Sequence, residues 1–130
     1  MLLDTSGLLC LLNKAEPYHA AARAAYGAAD VRVTHSFVLA EFVALATARG
    51  VPRLRTINFT MDLITNPDIE TVWVDESLNG QALALLSARL DKSYSMCDAV
   101  SFVLMRERHI HDALTTDHHF DQEGFRRLLG

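Results

Sequence analysis

The chain has 130 residues, half of them hydrophobic and 22% charged, a composition that fits one folded globular domain over residues 1–130 and excludes a disordered or fibrous protein. Its formal net charge of −4 excludes a protein that holds nucleic acid by broad basic attraction alone, although an acidic pocket can take a phosphate through bridging divalent cations. No apolar run is long enough to span a membrane, the start Met1-Leu2-Leu3-Asp4 has no basic leader, and Cys10 and Cys97 form no CxxC pair. The expectation is therefore a cytoplasmic protein with reduced thiols.

Leu2-Leu3-Asp4 reads as the end of a short buried strand, followed by an apolar helix over residues 6–13. The alanine-rich stretch 17–26 predicts a second helix, with Pro17 in its first turn and Gly27 at its end. Val31-Arg32-Val33-Thr34 is a β-branched run and predicts the second strand, before a long helix over 36–49 closed by Gly50. Pro52 opens a further helix to about Ile64, and Asn66-Pro67-Asp68 is a turn signal. Glu70 to Val74 predicts a third strand, 76–90 and 96–108 two helices, 113–116 a fourth strand and 125–129 a short fifth. Strands alternating with helices of this length imply an α/β fold, a three-layer α/β/α sandwich around a parallel sheet of four to five strands. In such sheets the ligand crevice lies at the carboxyl ends of the strands.

Four carboxylates fall where that crevice would be. Asp4 ends the first strand and Asp117 follows the fourth, although each alone could be a helix N-cap. Glu41 has Phe37, Val38, Ala44 and Leu45 as its helical neighbours, which puts a carboxylate on an apolar face. A charge there needs a cation or hydrogen bonds, unless the helix tilts it to solvent or an arginine pairs with it. Asp98 follows Ser95 by three residues, the spacing of a capping box, and also opens a strongly apolar helix beside the expected rim. Four such oxygen donors in one small volume would repel each other, and a hard divalent ion would relieve the repulsion.

These residues carry a family resemblance. Leu2-Leu3-Asp4-Thr5-Ser6, Ala40-Glu41, Ser95-Met96-Cys97-Asp98-Ala99 and Ala113-Leu114-Thr115-Thr116-Asp117-His118-His119-Phe120 together resemble the PIN-domain family, including the VapC-type toxins of toxin-antitoxin pairs. The resemblance implies a Mg²⁺- or Mn²⁺-dependent endoribonuclease with acidic metal ligands at Asp4, Glu41, Asp98 and Asp117. It implies a bond broken so that a 5′-phosphate remains, an RNA substrate, a cognate antitoxin protein if the chain is a toxin, and a homodimer. Thr5, Ser6 and Thr116 stand where they could orient the carboxylates or hold a phosphate, or simply cap helices and turns.

Other residues admit a role beside a plainer one. His118 adjoins Asp117 and could touch substrate, as could His119, whereas His109 and His111 lie at the entrance of the fourth strand, opposite its carboxyl end. Arg53 and Arg55 could grip an RNA backbone or be solvated helix charges, and the apolar stretch 57–64 could be a partner surface or core. A dehalogenase-type phosphotransferase needs a second aspartate where Ser6 stands, and a receiver domain needs a strand-end lysine, which neither Lys14 nor Lys92 supplies. The alternative from another class is a non-catalytic PIN-like module that binds RNA or protein; all four acidic positions being present argues against it.

Overall fold

A computed structural model describes residues 1–130. The chain runs β1 (Leu2–Leu3), α1 (Thr5–Leu12), α2 (His19–Ala28), β2 (Val33–His35), α3 (Ser36–Ala48), α4 (Arg53–Thr65), β3 (Glu70–Val72), α5 (Glu76–Ser87), α6 (Met96–Glu107), β4 (Asp112–Leu114), α7 (His119–Gln122) and β5 (Arg126–Arg127). All five strands are parallel, in the order β3-β2-β1-β4-β5. The alternation of side chains along a strand feeds two separate cores. Leu3 and Leu114 pack with Leu8, Ala22, Val38, Phe42 and Leu63 beneath α1 to α4, whereas Leu2, Val33 and Ala113 face Phe102, Met105 and Phe120 on the other side. A third cluster, centred on Leu78, Ala82, Val100 and Leu104, joins α5 to α6. The molecule is thus a three-layer α/β/α sandwich, as the alternating elements predict.

The strand order fixes where a site can form. The chain moves from β1 through β2 to the edge strand β3, then crosses the opposite face to place β4 on the other side of β1. Connections diverge from the carboxyl ends of β1 and β4, opening a crevice at the point where the winding reverses. Asp4 directly follows β1, and Thr115 to Asp117 directly follow β4.

The first turn of α1 lies against β4 so closely that a Cβ on Gly7 would stand 1.9 Å from the Leu114 carbonyl oxygen. Only glycine allows this approach. The contact brings Ser6 within reach of the residues that follow β4.

Several element ends differ from expectation. α2 begins at His19, because Pro17 and Tyr18 sit in a turn where the His19 amide bonds to the Glu16 carbonyl. Gly27 lies inside α2, since the helix ends on Ala29 in extended conformation and needs no left-handed residue. α5 stops at Ser87 rather than near Leu90. The Val74 amide, predicted to extend β3, instead bonds to Ser36 Oγ (3.0 Å) and ties the edge strand to the start of α3.

Candidate metal centre

Asp4 is the N-cap of α1 by position, yet its side chain makes no capping bond there. One carboxylate oxygen accepts a hydrogen bond from Thr115 Oγ1 at 2.7 Å. The Thr115 hydroxyl has one proton and gives it to Asp4, so Ser6 Oγ, 3.1 Å away, donates to Thr115 Oγ1. The amides of Thr116 and Asp117 bond in turn to Ser6 Oγ (2.9 Å) and Thr115 Oγ1 (3.0 Å). The short apolar strands thus end in two hydroxyls that hold the carboxyl ends of β1 and β4 together.

Asp98 is buried at the start of α6. The capping box expected from the sequence is present: the Asp98 amide donates to Ser95 Oγ and the Ser95 amide to Asp98 Oδ2, both at 3.0 Å. Capping and site membership are compatible, because the box engages Asp98 Oδ2 with a single amide and leaves Oδ1 and the second lone pair of Oδ2 to other partners. Asp98 Oδ2 also lies 3.0 Å from His119 Nδ1.

Asp117 is half-buried. Its Oδ1 accepts from the His119 amide at 2.9 Å, and its Oδ2 lies 3.5 Å from His119 Nδ1. Asp98, Asp117 and His119 present ligand atoms that all lie within 4.8 Å of one another. His119 is therefore drawn into the site, while His118, with 68% of its side chain exposed, stands 3.8 Å from Asp117 Oδ1.

Glu41 is exposed on the second turn of α3 and lies outside the group of ligand atoms formed by Asp98, Asp117 and His119. It remains within electrostatic reach of Asp4 and Cys97. α3 and α6, which carry Glu41 and Asp98, are joined underneath by His35. Its Nδ1 accepts from the Val38 amide (3.3 Å), so Nε2 carries the proton and donates to Ser101 Oγ (2.8 Å). Burial holds the His35 imidazole neutral and lowers its pKa to about 4.

The electrostatics follow from this crowding. Burial, reinforced by the charges of Asp98 and Glu41, pushes the Asp4 carboxyl up to about 7, against the opposing pull of the Thr115 hydroxyl and the Thr5 amide. Burial also pushes the Cys97 thiol up, with Glu41, Asp4 and Asp98 adding to it. Thr5 Oγ1 is buried beside the Cys97 thiol and has no nitrogen or oxygen hydrogen-bond partner. A hard divalent cation fits this donor set: carboxylate oxygens are its preferred ligands, it would let Asp4 ionise near neutrality, and it would offset the mutual repulsion.

The remaining expected residues lie apart. The Thr116 side chain makes none of these contacts; Thr115, one position earlier, supplies the hydroxyl on Asp4, and sequence reasoning overlooked it. Arg55 is not at the carboxylates: its Nη2 donates to the Leu12 carbonyl at 2.7 Å, closing the far end of α1, about 12 Å along the helix from Asp4. Arg53, on the same turn of α4, reaches Thr47 Oγ1 at 3.4 Å. Both were expected near the site because α4 follows α3, but α3 carries the chain thirteen residues away from the rim before α4 begins.

The PIN domain family model matches residues 1–125. The crystal structure of VapC20 from Mycobacterium tuberculosis, a sarcin-ricin loop cleaving toxin, superimposes with a TM-score of 0.88 at 25% sequence identity, covering 99% of this chain and 98% of that chain. Among curated proteins no relative matches the chain.

Proposed function

The chain belongs to the PIN-domain family and is an endoribonuclease of the VapC toxin type, and from that premise we propose that its reaction depends on a divalent cation, Mg²⁺ or Mn²⁺, held by Asp4, Glu41, Asp98 and Asp117. The observation that carries this reading is the meeting of carboxylates from separate elements at the β1/β4 crevice, with Asp4 pushed up to about 7 by burial and by its acidic neighbours. A buried carboxyl beside other carboxylates costs stability unless something positive joins it. When bound, the cation supplies Lewis-acid stabilisation of the charge developing at phosphorus and makes water a competent nucleophile near neutral pH.

The chain's own residues prepare that chemistry. Thr115 holds Asp4 in one orientation, the Ser95 box holds Asp98, and the amide of His119 holds Asp117. Positioned oxygens lose little freedom on binding, which is how outer contacts raise metal affinity. Thr5 and Ser6 open α1 at the crevice; Ser6 is committed to Thr115 and the Thr116 amide, and the Thr5 hydroxyl is buried beside Cys97.

The substrate is RNA. By likeness to VapC20 its target is a structured ribosomal RNA loop, and its natural partner an antitoxin protein. Leu54, Ile57, Met61 and Ile64 leave an apolar stripe on α4 open to solvent, which supports a protein partner there, either the antitoxin or a second copy of the chain. No helix is long and apolar enough to cross a membrane, and we place the protein in the cytoplasm with its RNA.

The test is cleavage of structured and unstructured RNA with Mg²⁺, Mn²⁺ or EDTA, comparing the wild type with Asp4→Asn and Asp98→Asn. Cleavage should need the cation and both aspartates. Cleavage indifferent to chelator would overturn the metal-dependent reading.

A further inference from the structure

Resting on the metal-dependent reading above, we propose that His119 is a nitrogen ligand of the catalytic cation, through Nδ1, and that the site therefore favours Mn²⁺ over Mg²⁺. The argument is geometric. Two ligand atoms each about 2.1 Å from a cation and at right angles to one another stand about 3.0 Å apart. His119 Nδ1 lies 3.0 Å from Asp98 Oδ2 and 3.5 Å from Asp117 Oδ2, so all three atoms could border one ion with little movement.

The imidazole is held for that task on three sides. Its own amide is bonded to Asp117 Oδ1, which locks ligand and neighbour into one turn. Tyr94 meets the ring edge-on at 5.3 Å between centroids, and Tyr94 is itself fixed edge-on against the buried Phe102. Without a cation Nδ1, 3.0 Å from Asp98 Oδ2, carries the ring proton and donates it to that carboxylate; a bound cation would replace this proton, and Nε2–H, 3.3 Å from Ser93 Oγ, would then donate to the hydroxyl. Ser93, Tyr94, Ser95 and Asp98 all come from the segment that opens α6, so one short stretch of chain orients both Asp98 and the histidine beside it.

The chemical consequence follows from ligand type. Mg²⁺ is selected by oxygen donors and keeps its water, whereas imidazole nitrogen suits first-row transition ions. Four carboxylates alone would not discriminate in this way; one added imidazole would.

The experiment is electron spin-echo spectroscopy of Mn²⁺ bound to the full-length protein, with Mn²⁺ and Mg²⁺ affinities measured by calorimetry in parallel. The wild type should show a directly bonded ¹⁴N coupling, which changes to the ¹⁵N pattern when only histidine is ¹⁵N-labelled. His119→Gln should lose the coupling and weaken Mn²⁺ binding roughly 10–100-fold, with a smaller effect on Mg²⁺, while His118→Gln keeps the coupling. Isotope labelling needs no substitution, so the result stands even if His119→Gln folds poorly. Mn²⁺ bound with no nitrogen coupling would overturn the assignment of His119 and leave the carboxylate site intact. A wild type that binds no Mn²⁺ at all would overturn both this assignment and the reading on which it rests.

Discussion

At the scale of single residues, the site depends on hydroxyls as much as on carboxylates. Thr115 gives its proton to Asp4 and accepts from the Asp117 amide, so it sets two candidate ligands at once. Thr115→Val should leave that amide unpaired and take the hydroxyl from Asp4, cost about 1–3 kcal/mol of stability, and weaken divalent-cation binding roughly 10–100-fold. Calorimetric Mn²⁺ titration and thermal melting check both effects; unchanged affinity would remove Thr115 from the site's support. Asp4, Asp98 and Asp117 stood out in the sequence as candidates because each lay at the edge of a predicted element, where a charge is either a cap or a ligand, and Glu41 because it lay among apolar residues inside a helix. The choice between neighbours was not legible. Thr115 and Thr116 are chemically identical, and which hydroxyl meets Asp4 is decided by the register of β4 against β1. His118 and His119 differ likewise only in which one α7 turns toward Asp98.

At the scale of elements, the crevice exists because α1 passes within contact distance of β4. Gly7→Ala would drive a methyl group into the Leu114 carbonyl, forcing α1 away from β4 and destabilising the fold by about 1–3 kcal/mol or more. A lower denaturation midpoint, with RNA cleavage lost in proportion to the displacement of Ser6 and Asp4, is the expected outcome. Ser95→Ala removes half of the capping box and should cost about 1 kcal/mol, measurable by denaturant titration. The element order was legible except for α7, a single turn too short to show a helical period, since hydrophobic periodicity and the Gly and Pro punctuation survive in the sequence elsewhere. Ends were less so: Pro17 satisfies the rules for a helix start, but the chain uses it in the turn that carries His19 to the Cys10 carbonyl. Arg53 and Arg55 show the same limit, because adjacency of helices in sequence does not say which end of the first the second meets.

At the scale of the whole molecule, two buried titratable groups pull stability in opposite directions. His35 has a folded pKa of about 4 against an ordinary 6.5, so acidification below pH 6.5 protonates the unfolded chain first and destabilises the fold. Asp4 has a folded pKa of about 7 against 3.8, so over the same range the folded chain takes up the proton and is stabilised. Between pH 6.5 and 4.5 each effect amounts to about 2 kcal/mol, and they nearly cancel. Arginine partners hold Glu70 and Asp112 below the usual carboxylate range, so their loss of stability comes only at or below about pH 4.5. The cation-free wild type should therefore change little between pH 6.5 and 4.5, whereas Asp4→Asn, with His35 unopposed, should lose about 2 kcal/mol. Urea titration at the two pH values measures the difference.

The same burial of Asp4 gives the most direct test of the central claim, that carboxylates from separate elements meet to hold a divalent ion. The measurement is the melting temperature of wild type and Asp4→Asn at pH 8, first in EDTA and then in excess Mn²⁺. Without the ion Asp4→Asn should melt higher, because it no longer buries an ionised carboxylate among others. With the ion the wild type should rise by mass action and overtake the variant, which should barely respond. Equal shifts in both proteins, or none in the wild type, would contradict the account.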